Sequence, residues 1–160
     1  MSNPISKNMK NSIFILLLVF FAIPTFSQET TSSYDEKLAK TLQADERGMK
    51  KYVFCLLKTG SYTTATKEET QKLFEGHMAN ISRLAKEGKL VVAGPFMKNE
   101  RNYRGIYIFN AATIEEAKEF VATDPAVKSN LLEAELTLWY GSAALQETLK
   151  IHEKIAKNKM

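Results

Sequence analysis

The sequence has little with which to build a cross-linked or metal-bound protein. Its one cysteine, Cys55, has no partner for an intramolecular disulfide. Cys55 sits in the apolar run "YVFCLL" and reads as a buried small hydrophobe, with a reactive thiol or an intermolecular disulfide as the other reading. The two histidines, His77 and His152, share no cysteine cluster and no H-x-x-E-type spacing, which argues against a dedicated zinc or iron site. His152 lies in a Lys-rich tail and is expected in solvent. A phosphate-cradling loop is missing too, since "AGPF" has one glycine and no helix after it. No G-x-S-x-G surrounds Ser61, Ser82 or Ser129. Ser82 would also lie about 500° around a helix from His77, well off its face. The net charge of +4 comes without a dense Lys/Arg stripe interleaved with aromatics, so nucleic acid is not an expected partner. These absences point away from cofactor and metal chemistry, and none is expected.

What is present begins with a leader. "MSNPISKNMKNSIFILLLVFFAIPTFSQ" runs from a positive start at Lys7 and Lys10, through an apolar stretch from Ile13 to Ile23, to small and polar residues. That is the pattern of a secretory signal peptide over residues 1–28. An uncleaved anchor is the other reading, but the apolar stretch is about half of the ~20 residues that span a bilayer. Cleavage near Ser27 or Gln28 leaves no stable membrane attachment and a secreted or periplasmic protein, without two of its excess positive charges. Residues 29–49 are polar and read as a flexible lead-in, residues 50–141 as one domain, and residues 142–160 as a helical tail.

Within the domain, "KYVFCLLK" (Lys51 to Lys58) is a strand pattern with apolar side chains in both parities. Thr66 and Glu69 form a capping box that opens a helix to about Glu87, and Gly88 supplies its left-handed end. "KLVVAG" is a second strand, stopped by Gly94-Pro95, and Arg104 to Asn110 a third. Thr113 and Glu116 form another capping box, for a short helix to about Ala122 that "TDPAV" ends. Ala134 to Gly141 is the fourth strand. After Ser142 a further helix would carry Leu145, Leu149 and Ile155 as its apolar residues. Strand, helix, strand, strand, helix, strand is the βαββαβ, ferredoxin-like order of an α+β fold. Both helices cover one face of such a sheet. The strands here are apolar on the other face as well, which predicts a partner; pairing of two sheets face to face, as in a dimeric α+β barrel, is the simplest solution.

"GHMANISRLAKEGKLVVAGPF", followed by "ATDPAV", resembles the YciI-like (YCII-related) proteins. The resemblance rests on His77, on Leu84, Gly88, Leu90, Ala93, Gly94 and Pro95, and on Asp124 and Pro125, and it covers roughly residues 51–140. It implies a ferredoxin-like domain that forms a homodimer, with a cleft holding a His–Asp pair suspected of catalysis. The export signal and the extra segment at each end depart from the family pattern.

His77 stands on the apolar stripe of its helix, among Leu73, Ile81 and Leu84. Alone it reads as a satisfied core histidine, and Asp124 before Pro125 as a turn or cap. The two helices should lie side by side on one sheet face. An imidazole beside a carboxylate acquires a fixed tautomer and a basic free nitrogen. His77 is therefore the candidate general base or acid and Asp124 its orienting partner, for isomerisation or elimination on a small cyclic or aromatic compound. Gly94, Pro95 and Phe96 are candidates for the wall of the cleft. Arg104 reads equally as a partner for a substrate carboxylate and as a surface charge. The rival expectation is a non-catalytic ligand-binding or structural module. Asn80-Ile-Ser82 has the form of a glycosylation sequon but falls inside a helix.

Overall fold

A strand that is apolar in both parities needs cover on both sides, and the chain supplies it on one face and on part of the other. The computed structural model describes residues 33–157. The leader, residues 1–28, the start of the lead-in and residues 158–160 lie outside the described residues. Strands β1 (Met49–Thr59), β2 (Leu90–Pro95), β3 (Tyr103–Phe109) and β4 (Leu132–Ser142) form one sheet in the order β2-β3-β1-β4. All neighbours are antiparallel. Between β1 and β2 the chain crosses through helix α2 (Lys67–Lys86), and between β3 and β4 through α3 (Ile114–Val121) and the single turn α4 (Pro125–Lys128). This is the ferredoxin-like α+β order expected from the sequence.

The ends of α2 are set by local chemistry. Thr66 Oγ1 accepts from Glu69 N at 3.2 Å, and Glu69 Oε2 accepts from Thr66 N at 2.8 Å. Gly88 ends the helix with φ of +69°, a conformation glycine adopts without steric cost. The second capping box differs from expectation. Thr113 caps α3 through Glu116 N, but the Glu116 carboxylate reaches one residue further back, to Ala112 N at 3.0 Å. β2 also differs, since it runs one residue later at each end than "KLVVAG" and takes in Pro95. As an edge strand it tolerates a residue without an N–H.

On the helix-covered face, Val53, Cys55 and Leu57 of β1 and Tyr107 and Phe109 of β3 pack under Leu84 of α2 and Phe120 of α3. Each large apolar side chain buried this way contributes about 1.5–3 kcal/mol. The opposite face was expected to stay bare for a partner. Instead the chain covers part of it. Tyr52, Val91 and Ile108 are buried there, with Leu145 of the carboxy-terminal segment packed on them. That segment is a 3-10 turn (Ala143–Glu147) followed by α5 (Thr148–Ile155). Tyr52 Oη donates to Ser142 O at 3.1 Å, and Gln146 Nε2 to Leu42 O at 2.6 Å. Leu145 and Leu149 are half-buried, whereas Ile155 projects into solvent.

Residues before β1 also depart from a flexible lead-in. Helix α1 (Glu36–Thr41) is capped by Asp35, Leu42 is buried, and Asp45 Oδ1 accepts from Arg47 N and Met49 N in a tight turn. A polar composition there concealed one buried leucine and two capping aspartates. Among the described residues no helix is long and apolar enough to cross a membrane.

Candidate functional site

Helix α2 buries His77, Asn80, Ile81 and Leu84 along one stripe. His77 is 8% exposed and Asp124 0%. A fully buried carboxylate is costly unless its oxygens are hydrogen-bonded. Asp124 has three donors. Its Oδ1 accepts from Ala126 N at 3.0 Å, which makes it the N-cap of α4. Its Oδ2 accepts from His77 Nδ1 at 2.7 Å and from the Tyr107 hydroxyl at 3.0 Å. Asp124 therefore opens a new turn of helix, with Pro125 at the first position, besides standing after α3.

The approach of α2 to α4 depends on Gly76. A Cβ there would lie 2.9 Å from Pro125 Cγ. The absent side chain lets the backbone beside His77 come down onto the turn that carries Asp124.

An ionised carboxylate only accepts, so in the bond to Asp124 the proton sits on His77 Nδ1, and in the neutral ring the lone pair is then on Nε2. The ring is held between two aromatics. Tyr107 lies nearly parallel, at 5.9 Å and 30°, and Phe74 edge-on, at 5.7 Å and 84°. The Tyr107 hydroxyl is also 3.3 Å from Nε2. Burial first, and then the Asp124 charge, push the Tyr107 phenol far up, so it stays a neutral donor. Burial and the same charge push the Cys55 thiol up to about 12, which fits a buried hydrophobe rather than a nucleophile.

A cleft of about 640 Å³ opens beside the imidazole. His77 and Tyr107 line it, with Phe74, Met78 and Ile81 of α2. Gly94, Pro95, Phe96 and Arg104, the other residues singled out in the sequence, line the same cleft. Asp124 does not line it and acts only through the imidazole. Two contributors escaped sequence reasoning. Tyr107 is one aromatic among sixteen in the sequence, and Gly76 one glycine among seven. The signal for Gly76 is a glycine in a helix interior, which costs about 0.5–1 kcal/mol relative to alanine and calls for a packing reason.

The remaining candidates lie apart. Ser82 Oγ and Ser129 Oγ donate to the carbonyls of Met78 and Ala126. Asn80 of the sequon is buried, its Oδ1 accepting from Arg83 and Thr123. His152 belongs to α5. Among the described residues no group of three or more His, Cys, Asp or Glu side chains is arranged to hold a metal ion.

Residues 51–139 match the family model of the YCII-related domain, and the chain belongs to that family. Among solved structures, it is similar to 5-chloro-2-hydroxyhydroquinone dehydrochlorinase from Burkholderia phenoliruptrix AC1100, determined in complex with 2,5-dihydroxybenzoquinone. The identity is 18% and the TM-score 0.40, over 54% of this chain and 90% of that one. No curated protein matches the chain.

Proposed function

We propose that this YCII-related protein is a small-molecule enzyme that moves protons through His77. The observation that carries the proposal is the 2.7 Å bond from Nδ1 to Asp124 on an imidazole that lines a 640 Å³ cleft. Nε2 takes a proton from a C–H or O–H of the bound molecule. Asp124 holds the ring and stabilises the imidazolium that forms, an effect of about 10²–10⁴-fold for a positioned base. In an isomerisation, Nε2 returns the proton to a second atom of the same molecule. In an elimination, the C–H electron pair forms the new double bond and the leaving group departs with its own pair.

The charged, apolar and small segments of residues 1–28 support a secreted or periplasmic setting. Phe54, Leu56 and Ile106, half-buried on the sheet face, support a homodimer formed beside the carboxy-terminal segment. Sedimentation showing only monomer at micromolar concentration would remove the dimer.

Solvent deuterium exchange tests the chemistry even while the substrate is unidentified. A panel of small lactones and enolisable aromatic compounds in D₂O is followed by proton NMR. Wild-type protein is expected to speed exchange into at least one compound, and His77→Ala to abolish it with an unchanged circular dichroism spectrum. Equal exchange by wild type and His77→Ala sinks the proposal.

A further inference from the structure

The cleft carries a charge pattern that proton transfer does not use. Of the residues lining it, Lys98 and Arg104 are cationic, and none is Asp or Glu. Among the described residues the ion pairs are made by other lysines, by Arg83 and by His77, so neither cation is neutralised by a neighbour. Asp124, the carboxylate of the site, has its oxygens committed to three donors behind the imidazole. A guanidinium without a carboxylate keeps its donor fork for one that arrives.

The rim of the same cleft is apolar. Met78 is 44% exposed, Phe96 45% and Met97 88%. Phe96 is braced against Tyr103, with ring centroids 5.9 Å apart. Asn99 ties the connecting loop by donating to the carbonyls of Met97 and Tyr103. Large exposed apolar side chains grouped at the mouth of a cleft, on a tied loop, offer surface to a ligand's hydrocarbon body.

We propose that the cleft takes small apolar acids, with the hydrocarbon body against Phe74, Met78 and Ile81 and the anionic group at Arg104, assisted by Lys98. The proposal rests on the reading of the cleft as a small-molecule site and adds the class of molecule it selects. A cation there also offsets negative charge that develops when a proton is drawn from a carbon near the acid group.

The test uses 4-hydroxybenzoate and 4-hydroxybenzamide, an acid and a neutral compound of closely similar shape. Each is titrated into the full-length ¹⁵N-labelled protein, and the amide signals of Gly94 and Gly105 are followed. The acid is expected to bind at least about fivefold more tightly than the amide, the scale of one charge-assisted contact near solvent. The preference should shrink as salt is added. Arg104→Gln should remove most of it, and Lys98→Gln part. Equal binding, binding by neither compound, or a preference untouched by Arg104→Gln overturns the proposal. If the preference is found but deuterium exchange is not, proton transfer alone falls. If exchange is found with equal binding, the charge assignment alone falls.

Discussion

Gly76 and Pro125 touch where α2 meets α4, with room for no side chain between them: a Cβ on Gly76 would stand 2.9 Å from the proline ring. The contact joins the residue before the imidazole to the residue after the carboxylate. It sets how closely the two catalytic candidates approach. Gly76→Ala gains about 0.5–1 kcal/mol of helix propensity and loses about 1–3 kcal/mol to overpacking. The expected result is a small drop in melting temperature with a larger loss of deuterium exchange, because the 2.7 Å bond is the geometry that gives. A variant as active as wild type would show that α4 yields without moving Asp124.

Asp124 has two jobs that substitution can separate. As N-cap of α4 it accepts from Ala126 N, which an asparagine side chain can also do. As partner of His77 it needs a carboxylate. Asp124→Asn is therefore expected to keep most of the stability and lose about 10²-fold or more of the exchange rate. Asp124→Ala should lose both, with about 1–3 kcal/mol of stability gone as donors are left unpaired. Urea unfolding beside exchange kinetics separates the two outcomes.

Tyr107→Phe removes one donor from Asp124 and keeps the ring that lies over His77. Asp124 retains His77 and Ala126. A cost of about 1–2 kcal/mol in thermal unfolding is expected, with an exchange rate lowered by less than in Asp124→Asn. A loss as deep as that of Asp124→Asn would make the hydroxyl a participant in the proton transfer itself.

Stability should fall in alkali from a source inside the core. The Cys55 thiol is raised from an ordinary 9.0 to about 12 in the folded chain. Between those values the unfolded chain gives up this proton and the folded chain keeps it. The stabilisation is whole below about pH 9 and is lost as pH rises toward 12, at a slope of about 1.4 kcal/mol per unit for one proton. Tyr107, raised from 10.0, acts in the same direction at higher pH. Urea midpoints at pH 8 and pH 10 are expected to converge in Cys55→Ala relative to wild type. In the native protein at pH 8 the thiol should stay silent to Ellman's reagent until the chain is unfolded.

The fold was legible because its signals are local. The Thr66 box, the Gly88 end and the apolar strands are each written within a few residues, and the order of elements follows from them. His77 stands out locally, as a polar residue on an apolar stripe, but Asp124 before proline reads alone as a turn, and it is the resemblance to the YciI-like proteins that sets the two side by side as a pair. What the sequence hid is held by long-range contact. Nothing near Tyr107 says that its hydroxyl meets Asp124, and nothing near Leu145 says that it docks on Tyr52, Val91 and Ile108. The polar stretch before β1 misled because two short capped turns need few apolar residues.

Imidazole and carboxylate come from positions 47 residues apart, and the fold divides between them. The β1-α2-β2 half supplies His77, while the half from β3 to β4 supplies Asp124 and Tyr107. Neither half owns a site. Two fragments parted near residue 100 would each lack one member of the pair, and the proton transfer proposed for His77 is expected only after they reassociate. In the intact chain, a histidine resonance displaced by Asp124 reports that the two halves have closed on each other.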